Sequence, residues 1–188
     1  NVLSTIRYHH TATLLPSGRV LVTGGLSLVE LGLTTTDIYD PATNSWSRGP
    51  DMKVGRQEHS ATLLPSGQVL VAGGAAAAAV TTALSSAEVL TMTGAISGVW
   101  ETVGSMNVPR FGHSATLLPN GQALVANGPR GGALSNANNF VGTAELYDPA
   151  SKTWRRTTGN PSFSYEHTAT LLPNGKVMLA GGLIYVNA

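Results

Sequence analysis

The chain has 188 residues, of which 42% are apolar and only 11% charged, with 11 Lys and Arg against 10 Asp and Glu for a net charge of +1. So sparse and balanced a charge excludes a basic nucleic-acid-binding face, which needs clustered Lys and Arg, and the apolar content excludes a disordered chain. The absence of cysteine excludes a disulfide framework and thiolate chemistry, and the longest apolar run, 75–80, is far short of the ~20 residues of a membrane-spanning helix.

In chain order, the first element is His10-Thr-Ala-Thr-Leu-Leu15, a short strand closed by Pro16-Ser17-Gly18, a tight hairpin turn whose glycine can take positive φ. Val20-Leu-Val-Thr23 follows as a second strand, apolar on both faces, which is the pattern of a sheet covered on both sides. After Gly24-Gly25 and a loop, Asp37-Ile-Tyr-Asp40 reads as a third strand, Pro41-Ala-Thr-Asn44 as a turn, and Trp46 as the opening of a fourth strand.

The unit then recurs. The segment from His10 to Gly18 returns at His59–Gly67, His113–Gly121 and His167–Gly175, at spacings of 49, 54 and 54 residues. The glycine pair returns as Gly73-Gly74, Asn127-Gly128 and Gly181-Gly182, the acidic strand as Glu88-Val-Leu90 and Glu145-Leu-Tyr147, and the tryptophan as Trp100 and Trp154. No window carries a 3.6-residue apolar period, so helix is expected to be nearly absent. A repeated four-stranded antiparallel sheet of about 50 residues predicts an all-β propeller, here with about 3.5 blades. The blades are expected at about 1–49, 50–103 and 104–157, with an incomplete fourth at 158–188. Propellers usually close with 4–8 blades, so the chain is expected to be part of a six- or seven-bladed ring. The remainder of a parent protein, or a second copy, would complete it; a start at Asn1 rather than Met agrees with a piece of something larger.

The repeated side chains are read first as scaffold. His10, His59, His113 and His167 share one position; equivalent residues of successive blades lie on a circle too wide for metal bonds of about 2 Å, so they are expected to hydrogen-bond between blades. Arg7, Arg56 and Arg110 recur just before the first strand, with Ser164 breaking the series. They are read as bonding backbone carbonyls of the adjacent blade, or else as facing the channel mouth to bind an anion or acidic peptide. Asp37, Glu88 and Glu145 sit in apolar strands and need a donor, from the diglycine amides or an arginine. The tryptophans and Tyr39 and Tyr147 are core aromatics. Variation falls in the loops between strands two and three, 26–36, 75–86 and 129–143, which are expected to share one face and to carry recognition. Their charges are Glu30 and Arg130, with Phe140 in the third loop, so a protein partner or a neutral ligand is expected.

Diglycine, Glu-x-Tyr and Trp at these offsets, followed by Met52-Lys-Val-Gly-Arg56 and Met106-Asn-Val-Pro-Arg110, resemble the kelch repeat over essentially the whole chain. The segment from Ile38 to Arg56 is especially similar to the propeller of galactose oxidase-like proteins. The resemblance implies a non-enzymatic binding scaffold without cofactor, and as an alternative the propeller portion of a secreted radical-copper oxidase. In those oxidases a Tyr-His pair before such a strand supplies copper ligands, and Tyr8-His9 counts back from Pro16 to the matching place. The place that would carry the radical tyrosine reads Arg56-Gln57-Glu58-His59, and there is no cysteine to crosslink, so catalysis by this chain is not expected. Sparse charge and Thr/Ser/Asn-rich loops lean towards an extracellular setting.

Overall fold

The computed structural model describes residues 2–30, 32–76, 82–132, 136, 139–158 and 164–183. Among them, regular structure is entirely β. Strands β1 (Thr11–Leu14), β2 (Val20–Thr23), β3 (Thr36–Asp40) and β4 (Ser45–Arg48) form one antiparallel sheet in chain order. A second sheet holds β5 (Ser60–Leu63), β6 (Val69–Ala72), β7 (Ala87–Met92) and β8 (Gly98–Val103). A third holds β9 (Ser114–Leu117), β10 (Ala123–Ala126), β11 (Ala144–Asp148) and β12 (Thr153–Arg156). The pair β13 (Thr168–Leu171) and β14 (Val177–Ala180) forms a fourth, two-stranded sheet. The first strands are the ones that approach one another, β1 beside β5, β5 beside β9 and β9 beside β13. The sheets therefore radiate as blades from their inner strands. No helix among the described residues is long and apolar enough to cross a membrane.

Local chemistry sets each blade. Pro16 starts the first hairpin turn, the Gly18 N–H donates to the Leu15 carbonyl at 2.9 Å, and Gly18 takes φ +82°. A glycine in this left-handed position lets a two-strand ribbon keep its right-handed twist, and the bond recurs at Gly67, Gly121 and Gly175. At the outer turns the carboxylates of Asp40 and Asp148 accept the N–H of Ala42 and Ala150 at 2.9 Å, the Asp-initiated turn the sequence implies.

Side chains alternate across each strand, so every blade presents one apolar set to the blade before it and another to the blade after. Between blades one and two, Leu15, Leu21, Ile38 and Met52 pack on Val69, Val71, Leu90 and Trp100. Between blades two and three, Leu70, Val89 and Val103 meet Ala123 and Tyr147, with Trp154 alongside. Each of these two seams also has an indole bond: Trp100 Nε1 donates to the Pro50 carbonyl at 2.8 Å, and Trp154 Nε1 to that of Gly104 at 2.7 Å. On the leading face of blade one Leu14 is 63% exposed.

Candidate functional site

The described ends of the loops joining strands two and three leave the three four-stranded sheets at the edge where strand one begins, so these loop ends, the arginines and the histidines share one face. The residue before each inner histidine, His9, Glu58, Gly112 or Glu166, has φ of 55°, 50°, 54° or 56°. A left-handed conformation is unfavourable by roughly 1–2 kcal/mol for an ordinary residue. A backbone staircase holds it there: the N–H of Glu58 donates to His9 O at 3.1 Å, that of Gly112 to Glu58 O at 3.0 Å, and that of Glu166 to Gly112 O at 3.1 Å. The staircase and the four inner histidines line a cavity of about 210 Å³ where the inner strands converge. Burial, with the nearby charge of Glu166, pushes the Glu58 carboxyl above its ordinary range, while His9 acts in the opposite sense. Glu58 and Glu166 were not candidates from sequence; one structural position filled by His, Glu, Gly and Glu was the available signal.

The histidines staple blades together. His59 Nε2 lies 2.9 Å from Thr11 Oγ1 and 3.1 Å from Thr23 Oγ1 in blade one. His113 reaches Ser60 Oγ at 2.9 Å, and His167 reaches Ser114 Oγ at 2.8 Å. His10, on the blade with no described neighbour before it, is exposed.

The arginines are struts, and their side chains serve their own blade rather than the adjacent one. Arg56 donates to the carbonyls of Gly73 and Ser86 at 2.7 and 3.1 Å and to Glu88 at 2.9 Å. Arg110 does the same with Asn127, Thr143 and Glu145, and Arg7 with Gly24, Thr35 and Asp37. Their main-chain carbonyls do reach across: Gly25 N–H donates to Arg56 O at 2.8 Å, and Gly74 N–H to Arg110 O at 2.9 Å. Arg56 and Arg110 are 0% exposed, so neither guanidinium faces the channel mouth. Burial lowers the pKa of both, with the ion pair opposing.

The carboxylates draw their amide donors from the segment before the arginine, not from the diglycine. Glu88 accepts from Lys53 and Val54 N–H at 2.7 and 3.0 Å, and Glu145 from Asn107 and Val108 N–H at the same distances. Burial alone would raise the Glu145 carboxyl, but the bonds from Asn107 and Arg110 hold it below its ordinary value. Asp37, one methylene shorter, takes the Ser4 hydroxyl at 2.9 Å instead.

Two departures from the repeat are one event. A Cβ on Gly73 would stand 2.6 Å from Arg110 O, yet blade three carries Asn127 in that position, at φ 58°. The next blade answers with Ser164 in place of arginine, and Asn127 Nδ2 donates to Ser164 Oγ at 3.1 Å.

The remaining candidates separate. Glu30 closes a tight turn at the exposed tip of the first loop, its N–H donating to Ser27 Oγ at 2.9 Å, beside Leu28 and Val29, which are 87% and 89% exposed. In blade three, Arg130 and Phe140 line a cavity of about 430 Å³ with Val108, Val141, Thr143 and Arg156. Arg156 comes from the outer strand, outside the loops where the sequence pointed.

The rings of Tyr8 and His9 meet at a centroid distance of 5.2 Å, tilted by 58°. Tyr8 bridges through its backbone to Leu26, and it is not among the residues lining the axial cavity that His9 enters. All five histidines and all ten acids are described residues, and no three of them cluster to hold a metal ion. The places equivalent to His9 hold Glu58, Gly112 and Glu166, and these residues include no cysteine for a crosslink.

Radiating four-stranded blades joined at their inner strands define an arc of a β-propeller. Residues 7–53 match the kelch motif, whose diglycine, acidic strand and tryptophan recur in blades two and three with Asn127 and Leu90 as local departures. A solved structure of a fungal alcohol oxidase of the AA5 family, in complex with copper, matches 96% of this chain with a TM-score of 0.63 and 18% identity. This chain spans 50% of that protein's length, and at such identity the likeness is one of fold alone. No curated protein sequence matches the chain.

Proposed function

We propose that this chain is a non-enzymatic kelch-propeller scaffold that recognises a partner protein through the face carrying the loops between strands two and three. The observation that carries this reading is a division of labour. The repeated Arg, His and acidic residues are engaged inside the scaffold, apart from the edge residue His10, whereas the described residues of the dissimilar loops, such as Leu28, Val29 and Arg130, stand on that one face. A frame held by buried struts that presents dissimilar loops is suited to recognition. The test is affinity capture with the wild-type chain and with variants in which 28–30 are replaced by Gly-Ser-Gly or Arg130 by Ser. A partner lost by a loop variant with an unchanged thermal melt supports the reading, and capture indifferent to every loop change refutes it.

The same reading assigns the open faces of blades one and four to further blades of a six- or seven-bladed ring. Trp46 occupies the position of Trp100 but has no Nε1 acceptor among the described residues, and a preceding blade would supply one. The likeness to the fungal alcohol oxidase favours a second reading, the propeller portion of a radical-copper oxidase. It requires copper-dependent peroxide release from a primary alcohol by the copper-loaded protein; the lack of a matching Tyr and Cys weighs against it.

A further inference from the structure

The blade-three cavity is cationic for a reason that the loops alone do not reveal. In the sheet register Arg156 stands directly across from Glu145. That carboxylate is already enclosed by Arg110, Asn107 and Val108, and no ion pair forms between it and Arg156. Blade one has the same juxtaposition of Asp37 and Arg48, but there Arg48 is neutralised by Asp51, three residues on, at 2.9 Å. The corresponding position after Arg156 is Gly159.

Arg130 adds a second cation at a position filled by Ser27 in blade one and Ala76 in blade two. Neither Arg130 nor Arg156 has an ion-pair partner among the described residues, which include every Asp and Glu of the chain. Two arginines thus line one cavity of about 430 Å³ with no counter-charge in its wall. The rest of the wall comes from the apolar side chains of Val108, Phe140 and Val141, from Gly142, and from Thr143, whose hydroxyl has no partner there. Pockets of this volume suit a small organic group, and a guanidinium fork matches the geometry of a carboxylate.

We propose that this cavity binds a carboxylate carried on an apolar body, with Arg130 and Arg156 on the carboxylate and Phe140, Val141 and Val108 around the apolar part. The inference departs from the neutral ligand expected from loop composition. It rests on the binding reading above only in taking this face as the recognition face.

The test is titration of the ¹⁵N-labelled full chain with phenylacetate, phenylacetamide and inorganic phosphate, following the arginine Nε–H signals. Saturable shifts of Arg130 and Arg156 by phenylacetate, weakened at least tenfold in Arg130→Gln and in Arg156→Gln, support the proposal. Equal binding of the neutral amide, or variants that bind phenylacetate as well as wild type, overturn it. Phosphate binding as tightly as phenylacetate shows a general anion site and overturns the apolar half. Should these titrations fail while loop variants still lose a captured partner, this inference falls and the scaffold reading stands. Should no partner be captured, the phenylacetate result still decides the site.

Discussion

His113 Nε2 in blade three lies 2.9 Å from Ser60 Oγ in blade two, so a single imidazole staples two blades at their inner strands. Burial, reinforced by the nearby positive charge of Arg110, lowers its pKa to about 3, and burial takes His59 well below its ordinary value. An unfolded histidine takes up its proton near pH 6.5, so between there and about pH 3 the unfolded chain binds more protons than the folded one. Stability is therefore full above about pH 6.5 and falls on acidification, by up to ~1.4 kcal/mol per pH unit for each such histidine. Urea midpoints measured from pH 7.5 to 4.5 should show this fall, and His113→Gln should flatten it by about one proton.

The Arg56–Glu88 pair is a fully enclosed salt bridge at 2.9 Å. Removing one partner strands the other charge in a dry interior, at a penalty of about 3–5 kcal/mol. Arg56→Met and Glu88→Gln should each lower the denaturation midpoint steeply. The double change Arg56→Met with Glu88→Leu should be less harmful than the sum of its parts, and a double-mutant cycle in urea reads that coupling.

Gly18 and Gly74 test two different demands. Both have positive φ, +82° and +94°, but a Cβ on Gly18 meets nothing within 4 Å, whereas one on Gly74 would lie 2.5 Å from Gln57 O. Gly18→Ala should cost only the backbone conformation, roughly 1–2 kcal/mol. Gly74→Ala must also push blade two off the segment leading into its own inner strand, and its loss on thermal melting should be at least twice as large.

The indoles separate inner seams from the open face. Trp100→Phe removes the indole bond to the Pro50 carbonyl, which keeps the Thr36 hydroxyl at 2.8 Å, so the loss should be that of one ordinary hydrogen bond, about 0.5–1.5 kcal/mol. Trp46 makes no such bond among the described residues, so Trp46→Phe in this chain should change the melting temperature little. A large effect at Trp46 would show that its face is covered in solution.

Composition and repetition alone determined the architecture. Four copies of His-x-Ala-Thr-Leu-Leu-Pro, a strand apolar on both faces and a turn glycine at fixed spacing admit only small two-sided sheets stacked side by side, because each must hide both faces. The same repetition made the inter-blade role of the histidines legible, since a polar side chain repeated at the same place in every blade meets the neighbouring blade in the same way at each seam. It could not say which way Arg56 points, because the main-chain carbonyl of such a residue reaches the preceding blade while its side chain turns back into its own. Nor could it join Asn127 to Ser164, 37 residues apart, or bring Arg156 beside Arg130, 26 residues apart. Those pairings arise when antiparallel strands fold a distant residue back across the sheet and neighbouring blades close on one another. The scaffold is a local, periodic property of the sequence, whereas the cavity depends on contacts that exist only once the blades are packed.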